Sequence, residues 1–259
     1  MADRRDFWTS VSRKVFSCSH PPRSCDISFV RREIVIAPDQ EIYTNLPNMH
    51  DLISGRVVVE RLPLLVMNRA PRILAFSGSL RTASWNHRIA ELSAKAASDA
   101  GADVTMLRLR DYPLPVYDQE IEASTGLPSH VVDLKKLFRE TDGFLIASPE
   151  YNGSVSAALK NVIDWVSRPE DGHPNLVGFK GKVAGLLACS PGRLGGLRGL
   201  AQLRVILSGI GTIVLPDQVA VPGIHDQFKD SDVIGDEGMQ LAVERVGQRV
   251  AQVAAALRN

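Results

Sequence analysis

Cysteine is scarce: three residues in 259. Any pairing leaves one over, which argues against a secreted fold built on disulfides. Cys189 ends an apolar run and reads as a small buried residue. Cys18 and Cys25 flank His20 in a polar, proline-containing segment, where a zinc site would lack a fourth ligand. No metal is expected. Long apolar runs are missing as well, and without 18 or more such residues in a row no membrane-spanning helix is expected. Nor is there an excess of one charge sign, with 30 Lys+Arg against 29 Asp+Glu and a formal net charge of +1. That balance gives no pull toward nucleic acid or an anionic membrane surface. The first residues carry charges but no uninterrupted apolar core before a small-residue cleavage site. A signal peptide is therefore not expected, and a reducing cytoplasm is. Internal repeats and low-complexity tracts are absent too. What remains is an ordinary globular composition, 44% hydrophobic and 23% charged, long enough for one sizeable domain or a domain with an extension.

Residues 1–66 contain Pro21-Pro22, Ser/Arg clusters and two short β-like runs at 33–37 and 56–59, with no helical periodicity joining them. Two readings stay open for them. One is a poorly ordered N-terminal extension, translated from upstream of the true start; the other is a regulatory or oligomerising arm. Residues 67–259 form the expected domain, and its pattern alternates. Strands are predicted over 73–76, 104–109, 143–147, 183–189 and 213–214, with 219–221 as an alternative end for the last. Helices are predicted over 84–100, from Pro128-Ser129 through Phe138, and over 156–166, 197–208 and 236–257. The acidic stretch 118–122 reads as a solvated loop. Short apolar strands alternating with helices predict an α/β fold, doubly wound, with helices on both faces of a parallel sheet. Five strands suit the flavodoxin-like order 2-1-3-4-5.

In such a sheet ligands sit beyond the carboxyl ends of the strands, where strand order reverses. Three loops meet that edge: 77–86, 148–154 and 190–196. The first reads Ser77-Gly78-Ser79-Leu80-Arg81-Thr82-Ala83-Ser84-Trp85-Asn86. It is neither a GxGxxG turn nor a P-loop. It does put backbone N–H groups, hydroxyls and one arginine at a helix N-terminus, which suits a phosphate. The same residues also fit a plain strand–helix turn with Ser84 or Asn86 as N-cap.

A second long motif decides between them. Ser148-Pro149-Glu150-Tyr151-Asn152-Gly153-Ser154 is followed by Leu159-Lys160-Asn161, Ile163-Asp164-Trp165 and Ser167-Arg168-Pro169, and later by Ser190-Pro191-Gly192-Arg193-Leu194-Gly195-Gly196. With the first loop, these motifs make the chain resemble the NADPH-dependent FMN reductase family, which includes chromate, azo and quinone reductases, over roughly residues 71–257. The resemblance implies FMN as cofactor and NADPH as co-substrate. It implies an electron path from NADPH through FMN to a quinone, azo compound, chromate or free flavin, in a ping-pong order. The alternative is a flavodoxin-like FMN carrier without nicotinamide-dependent activity.

By the same resemblance the phosphate falls on Ser79, Leu80, Arg81, Ser84 and Asn86. The isoalloxazine falls against Pro149, Glu150, Tyr151 and Asn152, with Ser190 and Gly192. No catalytic side chain is implied, because the cofactor carries the chemistry. Tyr151 would stack on the ring or shape the nicotinamide pocket, or be no more than a partly buried loop aromatic. Arg193 and Arg198 beside Gly195-Gly196 suggest a place for the 2′-phosphate of NADPH; the glycines equally fit a flexible turn. Lys160 and Asp164 are spaced as a surface pair. The helix bearing Trp165 is expected at a subunit contact, in a homodimer or homotetramer.

Overall fold

The structure, a computed structural model, describes residues 69–228 and 232–258. The expected extension over 1–66, with its cysteines and β-like runs, lies outside them. Five parallel strands form the central sheet: β1 (Arg72–Ser77), β2 (Asp103–Arg108), β3 (Gly143–Ala147), β6 (Val183–Cys189) and β7 (Ile213–Val221). Their spatial order is β2-β1-β3-β6-β7. This is the expected 2-1-3-4-5 winding once the small hairpin β4 (Glu150–Tyr151) and β5 (Ser154–Val155) is set aside.

Successive side chains of a strand point to opposite faces, and the core follows that period of two. Ile73, Ala75, Leu145, Ala147, Val183 and Leu187 pack under α1 (Trp85–Asp99) and α7 (Glu237–Ala256). Leu74, Phe76, Phe144, Ile146, Ala184 and Leu186 pack under α3 (Ser129–Glu140), α4 (Ala157–Val166) and α5 (Leu197–Gly209). Burial on both faces is why β3 and β6 read as unbroken apolar runs. Helices α1 and α7 touch backbone to backbone: a Cβ on Gly247 would lie 1.9 Å from the Ser93 carbonyl oxygen.

Three features depart from the expected pattern. Residues 118–122 are not a loop, because Gln119–Thr125 forms helix α2. Asp118 caps it by accepting from Glu120 N–H at 2.7 Å, and Gly126 ends it at φ 73°. None of its residues is buried, so no apolar stripe marks it in the sequence. Nor is this stretch merely solvated, since Glu122 holds Arg168 at 2.8 Å and accepts from the Tyr117 hydroxyl at 3.0 Å. The hydrogen bond from Arg168 holds the Glu122 carboxyl below its ordinary range. Second, β7 is one strand through Pro216, with a bulge opposite Ala184–Leu186. Pro216 is tolerated because β7 is an edge strand. Arg204 stitches the bulge by donating to the carbonyls of Val214 and Leu215 and to Gln218. Third, a short helix α6 (Ile224–Gln227) follows β7.

Candidate active site

Gly78 anchors the loop after β1. Its N–H donates to Ala147 O (2.9 Å), and its carbonyl accepts from Ser156 Oγ (2.6 Å) at the start of α4. The loop's own hydroxyls then brace it: Ser77 Oγ accepts from Ser79 N–H and Ser79 Oγ from Arg81 N–H. Ser84 is the N-cap of α1, accepting from His87 N–H at 3.3 Å. After this bracing a set of donors is left over. Among the described residues, the N–H groups of Leu80, Thr82, Ala83, Ser84, Trp85 and Asn86 carry no hydrogen bond, and the Arg81 guanidinium has no partner. Free N–H groups at a helix N-terminus beside a cation suit an anion with several oxygens.

The opposite wall is built differently. Asn152 and Gly153 have φ of 53° and 78°, and they turn β4 back into β5 as a two-residue hairpin. The Asn-Gly dipeptide is the sequence signal for this turn, and it was open to reading. The hairpin leaves Tyr151 half exposed at 51%. It sends the Glu150 carboxylate to the N-terminus of α5, where it accepts from Gly199 N–H (3.0 Å) and Arg198 Nε (2.8 Å). Burial pushes this carboxyl up, but the Gly199 N–H and the Arg198 guanidinium outweigh burial and hold it below its ordinary range. Glu150 is thus a helix cap delivered from another element, with no proton to give near neutrality. Arg198, expected to be open to a 2′-phosphate, already has Glu150 as counter-charge. Gly195 is not a flexible turn either: at φ 60°, a Cβ there would lie 2.7 Å from the Val221 carbonyl carbon.

Between the two walls lies a cleft of about 120 Å³ at the carboxyl ends of β1, β3 and β6. It gathers Ser79, Arg81, Ser84, Asn86, Pro149, Glu150, Tyr151 and Ser190 from three distant stretches of sequence. Leu80, Asn152 and Gly192 do not line it. Leu80 borders a separate hollow of about 380 Å³ beside α4, Asn152 is the hairpin turn, and Gly192 O accepts from Gly195 N–H. Asn86 stands in the cleft wall, but its amide is committed elsewhere. Nδ2 donates to Cys189 O and Oδ1 accepts from Cys189 N–H, both at 3.0 Å and both buried. Rather than offering that amide to a ligand, Asn86 ties the start of α1 to the end of β6. Cys189 is buried as expected, and burial pushes its thiol well above its ordinary value.

Sequence reasoning left Trp85, Pro191, Ile224 and His225 of this cleft without a role. Trp85 stacks on Phe228 at 5.4 Å and meets His225 edge-on at 5.9 Å. No motif marks His225, which lines the cleft, or Phe228 beneath the indole; both are placed by the segment that follows β7, which ends beside β6. The helix expected at a subunit contact turns its tryptophan inward. Trp165 is fully buried, donates to Pro115 O at 2.9 Å and meets Tyr117 edge-on at 4.9 Å. Asn161 binds the same segment, through Tyr117 N–H and Pro115 O. These residues pin the Tyr112–Asp118 connection to α4 within the chain, and Trp165 offers nothing to a second copy. Lys160 and Asp164 form the expected surface pair at 2.7 Å.

Residues 71–226 match the family model described as NADPH-dependent FMN reductase. The chain is similar to a quinone reductase of Escherichia coli (strain K12), 36% identical over 150 residues, which are 58% of this chain and 76% of that protein. It is similar to an NAD(P)H-dependent FMN reductase of Pseudomonas aeruginosa, 36% identical over 136 residues, 52% of this chain and 69% of that protein. Among solved structures it resembles FerB, a flavoenzyme NAD(P)H:(acceptor) oxidoreductase from Paracoccus denitrificans. The TM-score there is 0.60 at 27% identity, covering 71% of this chain and 97% of FerB.

Proposed function

The chain belongs to the NADPH-dependent FMN reductase family, oxidoreductases that work with FMN and a reduced nicotinamide, and we propose how its own residues divide that work. The observation that carries the proposal is the set of unpartnered donors in the loop after β1. FMN ends in a phosphate dianion, and the N–H groups of Leu80 and of Thr82 through Asn86, the Ser79 and Ser84 hydroxyls and the Arg81 guanidinium fit it. The Pro149–Tyr151 wall, with Ser190, bounds the place for the flat ring. When bound, FMN supplies the redox chemistry, so no protein nucleophile is needed. The protein's part is to bind, orient and exclude. Arg81 and the helix N-terminus neutralise the phosphate. Glu150 and Arg198 satisfy each other, which fixes the hairpin against α5 and keeps the wall rigid. NADPH and the electron acceptor then use the cleft in turn, a ping-pong order. The acceptor is a quinone, azo compound, chromate or free flavin. NADPH is the favoured donor, with Arg193 left to meet its 2′-phosphate.

A homo-oligomer in the cytoplasm completes the proposal. The enclosed cleft of about 120 Å³ is smaller than an ordinary ligand pocket of roughly 300–1,000 Å³. A ring held there lies partly outside it and needs cover. Residues 112–122 do not line the cleft and are tied to α4, so they do not supply that cover. A second copy would, and the hollow formed by Leu80, Leu109, Pro113, Leu114 and Val162 is an apolar surface for it beside the first loop.

The purified protein should show flavin absorbance bands that NADPH bleaches without oxygen and an acceptor restores. Bound FMN that NADPH leaves unbleached would sink the reductase reading. Sedimentation as a monomer at micromolar concentration with full turnover would remove the shared cover.

A further inference from the structure

On the side away from the ring wall, the first loop rests against the end of edge strand β2. That strand runs into one turn of 3-10 helix, Leu109–Asp111. Leu109 is buried in the core, and Tyr112 N–H donates back to Leu109 O at 3.1 Å. Arg110 therefore stands on a fixed turn. Its guanidinium donates from Nη1 to the hydroxyl of Thr82, 28 residues earlier and in the middle of the first loop. The gap left between loop and strand holds about 10 Å³, no more than the room of a single water. The two elements meet directly.

That contact falls where the loop has least support of its own. Its first half is braced by Ser77 and Ser79, and its end by the Ser84 cap. Among the described residues, Arg110 is the one side chain from outside the loop that bonds to Leu80, Arg81, Thr82 or Ala83. The gap is also lined by three arginines, Arg81, Arg108 and Arg110, and by no carboxylate. His87, beside them, is held by Glu91 at 3.2 Å. The partner of Arg110 is a neutral hydroxyl, and Arg81 and Arg108 have none among the described residues. Like charges gathered without a counter-charge repel one another, and an anion at the loop relieves that.

We propose that Arg110 is a positioning residue of the anion site. It holds the middle of the first loop in the form that leaves the N–H groups of Leu80 and of Thr82 through Asn86 free, and it adds its charge to that of Arg81. A loop ordered beforehand loses less entropy when its ligand arrives. Arg110 itself touches no ligand; it acts through Thr82 and through the field at the loop. Its effect is selective, favouring FMN over riboflavin, which has the same ring and no phosphate. No motif marks Arg110, because the residue it holds lies 28 positions away. This rests on the phosphate reading of the first loop.

The test titrates FMN and riboflavin separately into flavin-free protein, following flavin fluorescence. It compares the unaltered chain with Arg110→Ala, Thr82→Val, Thr82→Ser and the double variant Arg110→Ala/Thr82→Val. Both residues are exposed, so none of these changes opens the core. Arg110→Ala and Thr82→Val should each weaken FMN roughly five- to tenfold and change riboflavin by less than about twofold. Thr82→Ser, which keeps the hydroxyl, should bind FMN as the unaltered chain does. Because the two residues act through one contact, the double variant should lose no more than about twofold beyond Arg110→Ala. FMN affinity untouched by Thr82→Val, or losses that multiply in the double variant, would overturn the positioning role. So would a fall shared equally by riboflavin, the mark of a merely structural change. Those results leave the phosphate reading standing. Riboflavin bound by the unaltered chain as tightly as FMN would bring that reading down first, and the role of Arg110 with it.

Discussion

The two walls of the cleft use the same residue types to opposite ends. On the hairpin side, Glu150, Arg198 and the first N–H groups of α5 satisfy one another within the chain. On the first-loop side, Arg81 and six consecutive or near-consecutive N–H groups have no partner among the described residues. A buried or crowded polar group left unpaired destabilises the fold. Where a whole row of donors stays unpaired, the counterpart is a ligand. Where each donor finds an acceptor, the group is scaffold. Arg81 and Arg198 cannot be told apart by residue type, only by what lies within three ångströms.

The comparison predicts that scaffold residues will show their effect in stability and first-loop residues in binding. The largest effect is expected at Asn86. Asn86→Ala removes two buried hydrogen bonds and strands the Cys189 N–H and C=O, a loss of about 3 kcal/mol. That corresponds to a drop of roughly 6–12 °C in melting temperature for a domain of this size. An unchanged melting temperature would show that the α1–β6 tie is dispensable.

Arg81→Ala should do the reverse. Loss of a charge-assisted contact weakens FMN roughly 10- to 100-fold, while the melting temperature of the flavin-free protein hardly moves. The flavin that does bind should still be reduced at a near-normal rate, because the phosphate contact is equal in ground and transition states. Unaltered FMN affinity in this variant would break the comparison at its centre.

Glu150→Gln comes next, at roughly 1 kcal/mol, since the amide oxygen still accepts from Gly199 N–H and only the partly exposed charge pair is lost. Its signature is a pH dependence. A carboxyl held below its ordinary range stabilises the fold above the unfolded value near 4.3, and that contribution disappears as pH falls through the folded value. Thermal melts between pH 7 and pH 3 should slope less steeply for Glu150→Gln than for the unaltered chain. Parallel slopes would assign the acid sensitivity elsewhere, with Glu122 and its Arg168 partner the next group to test.

The smallest effect is expected for Lys160→Ala. Its pair with Asp164 is exposed, and losing it should change stability by a few tenths of a kcal/mol, roughly, and FMN affinity not at all. A larger change measured by chemical denaturation would mean that this face of α4 is covered in solution.

Much of the fold could be read from the chain because burial on both sides makes each β-strand a short apolar run and each helix a stripe. The strands at 143–147 and 183–189 coincide with β3 and β6 to the residue. Helix α2 escaped because nothing on it is buried, and β4–β5 because two-residue strands have no period to detect. Residues that share the cleft were legible where they sit in long motifs at strand ends, as Ser79, Arg81 and Pro149 do. His225 and Trp85 were not, since their place depends on β7 lying beside β6 and on Phe228 stacking under the indole.

By itself the sequence determined the alternation of elements, the parallel winding of the sheet and the loops at its carboxyl edge, because these follow from local hydrophobic period and turn chemistry. Tertiary structure alone decided which polar groups were spent. Asn86 reaches across 103 residues to Cys189, and Glu150 across 49 to Gly199. Such partnerships are set by distance in space, and a chain read in order carries no record of which side chain will find its partner and which will be left to hold a ligand.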